Sequence, residues 1–318
     1  MFATPTLATL LDEQTAVLRA QLSGVYDGTP EAVHDSRIAT RRIRELLALI
    51  PTVPGRDGDM DVVAGYRKMG RALGKVRDVD VQIDLIKGIE AHAPQTAPSM
   101  VIVRQHHERQ RLQKMRRLIK TLERIDVDAL LHLVTEGHPA GLRTRLTSSG
   151  WRDQIRRLAV ERSRTAVEAI AHATGVYFPK RTHGARIAIK QLRYAAEIAL
   201  RTGFREVESS VGPLKRCQQV LGDLHDRQVL ADNLARYTKT HGVEGEHVTL
   251  THQVLEGEVS SLHAAYLARR ESLRAACSQI VDAVRASHFR SNVGVATTLA
   301  LTGLVGAKAL AVVHNRRS

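Results

Sequence analysis

Two short segments of the 318-residue sequence carry the side chains whose types and spacing point to chemistry. In HDSRIATRRIR (34–44), His34, Arg37, Arg41 and Arg44 recur at three- and four-residue intervals. In HGARIAIKQLR (183–193), His183, Arg186, Lys190 and Arg193 repeat that spacing 149 residues later. On a helix turning about 100° per residue each set falls within an arc of about 80°, so each forms one basic stripe. Neighbouring like charges on a helix repel by about 0.2–0.5 kcal/mol per pair. A solvated face needs charge but no fixed pattern. The preserved spacing therefore argues for an anionic ligand that offsets the repulsion. A guanidinium offers a planar donor fork that contacts two phosphate oxygens at once, and a lysine ammonium acts as a movable point charge. Phosphate oxygens on a polyanionic chain, long enough to meet both stripes, are the natural ligand.

The elements that must hold these stripes come from an internal duplication. Gly24-Val25-Tyr26 precedes the first stripe and Gly175-Val176-Tyr177 the second, while LGKVRDVDV (73–81) follows the first and LGDLHDRQV (221–229) the second, at offsets of 151 and 148. Apolar residues recur at three- and four-residue spacing almost throughout, and strand-like alternation is scarce. The predicted architecture is all-α: two antiparallel four-helix-bundle repeats, one near 6–140 and one near 150–288, related by an approximate two-fold axis. Links are expected at GVYDGTP (24–30), PTVPGRDGD (51–59), APQTAPS (93–99), EGHPAG (136–141), TSSG (147–150), GVYFPK (175–180) and HGVEGEH (241–247). Thr29 can cap a helix that begins at Pro30, with Glu31 at its positive end.

Further basic residues extend the candidate site. The helix entering each LG segment adds Arg67, Lys68 and Arg71 in the first copy and Lys215 and Arg216 in the second. A third helix carries Arg104, His107, Arg111 and Lys114, with a looser counterpart around His263, Arg270 and Arg274. It reads equally as part of the site or as solvated surface. Asp78 and Asp226 align, each four residues after a matched glycine, Gly74 or Gly222. Each is either a catalytic carboxylate or, the favoured reading, a group that orients an arginine or pairs with a neighbouring helix. With no second matched carboxylate, a divalent metal site is disfavoured. The glycines are expected to permit close helix approach.

Composition sets the class of partner. Forty-seven Lys and Arg against 33 Asp and Glu give a formal charge of +14, so nucleic acid, a phosphorylated polymer or an acidic membrane surface all fit. Only 3% of residues are Phe, Trp or Tyr, which disfavours a base-stacking platform. Cys217 and Cys277 show no CxxC spacing and are too few for a disulfide framework, so they read as packing residues of a cytoplasmic protein. The first residues, with acids at Asp12 and Glu13, read as an ordinary helix rather than a signal peptide. The segment VGVATTLALTGLVGAKALAVV (293–313) within the apolar tail 289–318 is long enough to span a bilayer, yet Gly294, Gly303, Gly306 and Lys308 weaken that reading. Attachment to a membrane or granule surface, or packing as a helix on the repeats, both stay open, with packing favoured.

The paired VHDSRIATRRIR and THGARIAIKQLR, followed by LGKVRD and LGDLHD, resemble the CHAD domain family, the conserved-histidine α-helical domains, over roughly residues 6–288. The resemblance implies a helical, pseudo-two-fold fold with a basic central channel that binds inorganic polyphosphate, and for some members association with polyphosphate granules. It implies His34, Arg37, Arg41 and Arg44, with His183, Arg186, Lys190 and Arg193, as polyphosphate contacts. Gln191 stands opposite Arg42 and Asp223 opposite Lys75, which leaves the second half less basic. No ExExK strand, P-loop or nucleophile elbow is found, so the expected function is binding without catalysis or cofactor. A sequence-nonspecific nucleic-acid-binding protein is the alternative, with nucleic acid otherwise expected as a weaker competitor.

Overall fold

The computed structural model describes residues 5–49, 57–135 and 150–286, and over these the chain is all-α, as the periodicity predicts. The first half contains α1 (Leu7–Tyr26), α2 (Pro30–Leu47), α3 (Asp57–His92), α4 (Ala97–Ile125) and α5 (Val127–Thr135). The second contains α6 (Trp151–His172), α7 (Pro179–Arg201), α8 (Glu208–His241), α9 (Glu246–Leu267) and a helix over 270–286, α10. Each half thus has four long helices and a shorter fifth, where four were expected. The apolar segment 293–313 and the link 136–141 lie outside the described residues.

Local chemistry explains where the helices begin and turn. The Thr6 hydroxyl accepts from the Thr9 amide at 3.2 Å and opens α1. α2 starts at Pro30 as expected, but Thr29 makes no side-chain cap bond. Its extended backbone is what a residue preceding proline adopts. Gly24 belongs to α1 rather than to a link, and the turn proper is Asp27–Thr29, with Gly28 at φ +77°. A Cβ on Gly24 would lie 2.7 Å from that of Ala32, so the missing side chain lets α1 and α2 close on each other. Gly242 and Gly245 take φ values of +63° and +146° in the α8–α9 link.

Consecutive helices pack in chain order within each half, and the halves meet where α9 lies against α4, α3 against α8 and α2 against α7. One core runs through both. Leu18, Val33, Ile43, Met69 and Leu73 join Ile189, Leu192, Ala196, Leu214 and Leu221. A second cluster ties Ile86, Met100 and Val103 to Leu230, Leu234 and Leu255. Each large side chain removed from water contributes about 1.5–3 kcal/mol, and this burial fixes how α2 and α7 are turned about their axes. Leu273, Cys277, Ile280 and Val284 extend the core into α10. Both cysteines are free and buried, and burial pushes their thiols up to about 12 and about 11, which makes them inert packing groups. Among the described residues no helix is long and apolar enough to cross a membrane.

Candidate functional site

α2 buries Val33, Ser36, Ala39, Thr40, Ile43 and Leu47, and α7 buries Thr182, Ala185, Ala188, Ile189 and Leu192. All eight stripe residues are half-buried, and the matched Arg42 and Gln191 are both exposed. The two copies therefore sit alike in their helices.

The stripes act on one another across the halves. Burial and the Arg41 guanidinium lower Arg37, Asp78 and Tyr194 oppose this, and Arg186 from α7 adds to the lowering. Lys190 is pulled down to about 7 by burial and then by Arg41, Arg186 and Arg37, with Glu45 opposing. Cations from α2 and α7 thus share one site with few neutralising acids. Arg37 Nη2 lies 3.8 Å from Asp78 Oδ1, a long contact between a half-buried arginine and an exposed aspartate, of small energetic weight, that nonetheless fits the orienting role expected of the aspartate. In the second copy Asp226 faces Arg186. Burial raises its carboxyl, Arg186 counters, and Asp223 and Asp78 raise it further. Among the described residues no cluster of His, Cys, Asp and Glu suits a metal ion.

Two groups that the spacing did not single out complete the centre. Tyr194, nearly buried, accepts a hydrogen bond from Arg41 Nη1 at 3.2 Å, and its ring lies 5.4 Å from the Arg41 guanidinium and 4.5 Å from that of Arg193. Glu45, at the matching position of the first copy, acts on Lys190 and accepts from Arg162 at 2.6 Å. Arg162 also donates to the Gln191 carbonyl at 2.9 Å, so α6 fastens α2 to α7. The signal for both was their shared place just after the last stripe arginine, hidden because one is an acid and the other a phenol. Arg77 and His225 form a similar mismatched pair. Arg77 lowers His34 after burial does, and His225 is pulled to about 4 by burial, Arg186, His183 and Lys190. His183, also lowered mainly by burial, stacks obliquely on His225 at 4.8 Å.

The outer residues divide. Burial lowers Arg44, and Arg67, Arg41 and Arg71 add to this against Glu45, so the α3 arginines join the end of the α2 stripe. Lys68 is exposed and turned about 100° from Arg67 on α3, off that face. Arg193 is held by Gln218 at 2.7 Å and Glu197 at 2.6 Å, and Lys215 reaches Glu197 at 3.7 Å. Arg216 is exposed and lies back along α8 over Gly212. On α4, Arg104 pairs with Glu90 and Glu108, and Arg111 with Asp80 at 2.5 Å and the Gly28 carbonyl at 2.7 Å. Both are tied to acids of their own. His107 is buried, its ring donating to the Val103 carbonyl at 2.8 Å, and His263 is buried too. Lys114 is lowered mainly by burial, held up by Asp78, the acid beside Arg37, and lowered further by Lys75 and Arg117. Gly74 has the Arg37 guanidinium at 3.5 Å from where a Cβ would stand, while Gly222 has nothing within 4 Å, so neither mediates a tight helix contact. That role falls to Gly24 and to Gly65, whose Cβ would meet Leu130 at 3.0 Å.

Comparison with known proteins adds the following. The family model described as "CHAD domain" matches residues 9–235. The fold is similar to the crystal structure of the CHAD domain from the plant Ricinus communis, with a TM-score of 0.58 at 18% identity, over 87% of this chain and 93% of that one. It is also similar to PptA from Streptomyces chartreusis, with a TM-score of 0.52 at 16% identity, over 87% and 99% of the respective chains. No curated protein sequence matches.

Proposed function

The chain belongs to the CHAD domain family, and on that premise we propose that it binds inorganic polyphosphate, without catalysis, through the facing cations of α2 and α7. The observation that carries this reading is the mutual field of Arg37, Arg41, Arg186 and Lys190, drawn from both halves and partly withdrawn from water. Taking charges out of water beside like charges is unfavourable unless an anion supplies the missing interaction. A linear polyphosphate brings closely spaced oxygens that reach several guanidiniums at once and releases its counterions on binding. Arg44, Arg67 and Arg71 continue the track at one end, and Lys114 borders it. Asp78 and Asp226 serve as orienting acids for Arg37 and Arg186. The expected setting is the cytoplasm, at polyphosphate granules.

The test is competition and charge reversal on the full chain. Polyphosphate should displace bound duplex DNA at far lower phosphate concentration than DNA displaces polyphosphate. The double variant Arg37→Glu/Arg186→Glu should lose binding with its helicity unchanged by circular dichroism. Normal binding by that variant, or preference for DNA, rejects the reading. Phosphate release with Mg²⁺ or Mn²⁺ that tracks with substitutions at Asp78 or Asp226 would refute the absence of catalysis.

A further inference from the structure

A concave site lies between α4 and α8, built from residues that play no part in the cationic centre. It is a cavity of about 180 Å³ lined by His106, His107 and Gln110 on one side and Asn233, Tyr237 and His241 on the other. Its rings form a ladder. His241 stacks on Tyr237 at 4.1 Å and 20°, Tyr237 meets His106 at 5.2 Å, and His106 meets His107 edge-on at 6.0 Å. The protonation pattern follows from the hydrogen bonds. His107 Nδ1 and His241 Nδ1 face the Val103 and Tyr237 carbonyls, which only accept, so both nitrogens carry the proton. His107 Nε2 then accepts from the Asn233 amide at 3.4 Å, and His106 Nε2 from the Gln110 amide at 2.7 Å. Burial lowers His106 and His107, so both are neutral near pH 7.

Each carboxamide is thereby oriented through one N–H, which leaves a carbonyl oxygen and a second N–H, the donor and acceptor pair that matches an adenine edge. Stacking on flat rings is sequence-tolerant and favours planar heteroaromatic ligands. Arg109 and Arg236, both exposed, flank the ladder and suit a phosphate. Overall aromatic content counts neither the histidines nor their clustering, so the scarcity of Phe, Trp and Tyr conceals this arrangement.

We infer that the α4–α8 cavity binds the base of an adenine nucleotide, stacked on the face of His241 turned away from Tyr237, with its phosphate toward Arg109 or Arg236. The inference is independent of the polyphosphate reading, since it uses different residues. The probes are AMP, ribose 5-phosphate and inorganic phosphate, titrated into the full-length protein while the histidine ring C–H signals are followed by NMR. AMP should shift the His106 and His241 signals saturably, and ribose 5-phosphate should not. His241→Ala, at an exposed position at the end of α8, should weaken AMP by about tenfold or more. It should leave helicity and polyphosphate affinity unchanged. Equal shifts from ribose 5-phosphate would mean a response to anions at the arginines alone, and AMP affinity unaltered in His241→Ala would remove the stacking site. Either result overturns the inference.

Discussion

The most informative residue is Lys190. Its ammonium faces Arg37 and Arg41 from α2 and Arg186 on its own helix, with Glu45 the opposing acid, and its proton affinity falls to about 7. Near pH 8 the free site therefore holds this lysine mostly neutral. A polyanion reverses the local field and raises the group back toward its ordinary range near 10.5, so the complex holds more protons than the free protein. Affinity should then rise as pH falls from about 10 to about 7, and level off below that as far as this group is concerned. Calorimetry at pH 8 in buffers of different ionisation enthalpy should find proton uptake with polyphosphate. Lys190→Arg, which keeps the charge at every pH, should abolish that uptake and retain binding. Undiminished uptake in the variant would show that other groups titrate. His34 and His183 are lowered mainly by burial and then by neighbouring cations, so they act below the lysine's range.

At the scale of elements, glycines that look alike in sequence have opposite roles. Gly24 is the point where α1 and α2 close, and a methyl group there collides with Ala32. Overpacking of this kind costs about 1–3 kcal/mol, more than the gain in helix propensity of about 1 kcal/mol. Gly222 has open space around it, so Gly222→Ala should gain that propensity unopposed. Urea unfolding should give a lower midpoint for Gly24→Ala, recovery when Ala32→Gly is added, and a higher midpoint for Gly222→Ala. A rise for Gly24→Ala would deny the close approach. The helices and their basic faces were legible because a 3.6-residue period and a repeated spacing are local properties. His34, Arg37, Arg41 and Arg44 are half-buried, and so are His183, Arg186, Lys190 and Arg193. The cross-helix partners of Arg104 and Arg111 were not legible, because Glu90 and Asp80 come from α3 and the pairing depends on how α3 and α4 lie together. The α4–α8 cavity was hidden for the same reason: His107 and Asn233 are 126 residues apart.

For the whole molecule, the fold converts hydrophobic burial into a concentration of positive charge where the halves meet. Binding should weaken linearly on a log–log plot as salt rises, because each neutralised phosphate releases counterions. Arg37→Gln and Arg186→Gln should each make that slope shallower by about one, and the double variant by about two. An unchanged slope in the double variant would mean that the facing stripes release no ions. The matched residues Glu45 and Tyr194 carry a different consequence. Each reaches across to the other half's cation at the equivalent position, the glutamate toward Lys190 and the tyrosine to Arg41. Two identical subunits would have to present the same residue to both cations. Two copies joined in one polypeptide are free of that constraint and can diverge, so one crossing holds a permanent cation against a phenol and the other a titratable amine beside a carboxylate. The two crossings therefore differ in kind: the one at Lys190 changes its charge with acidity, and the one at Arg41 keeps it.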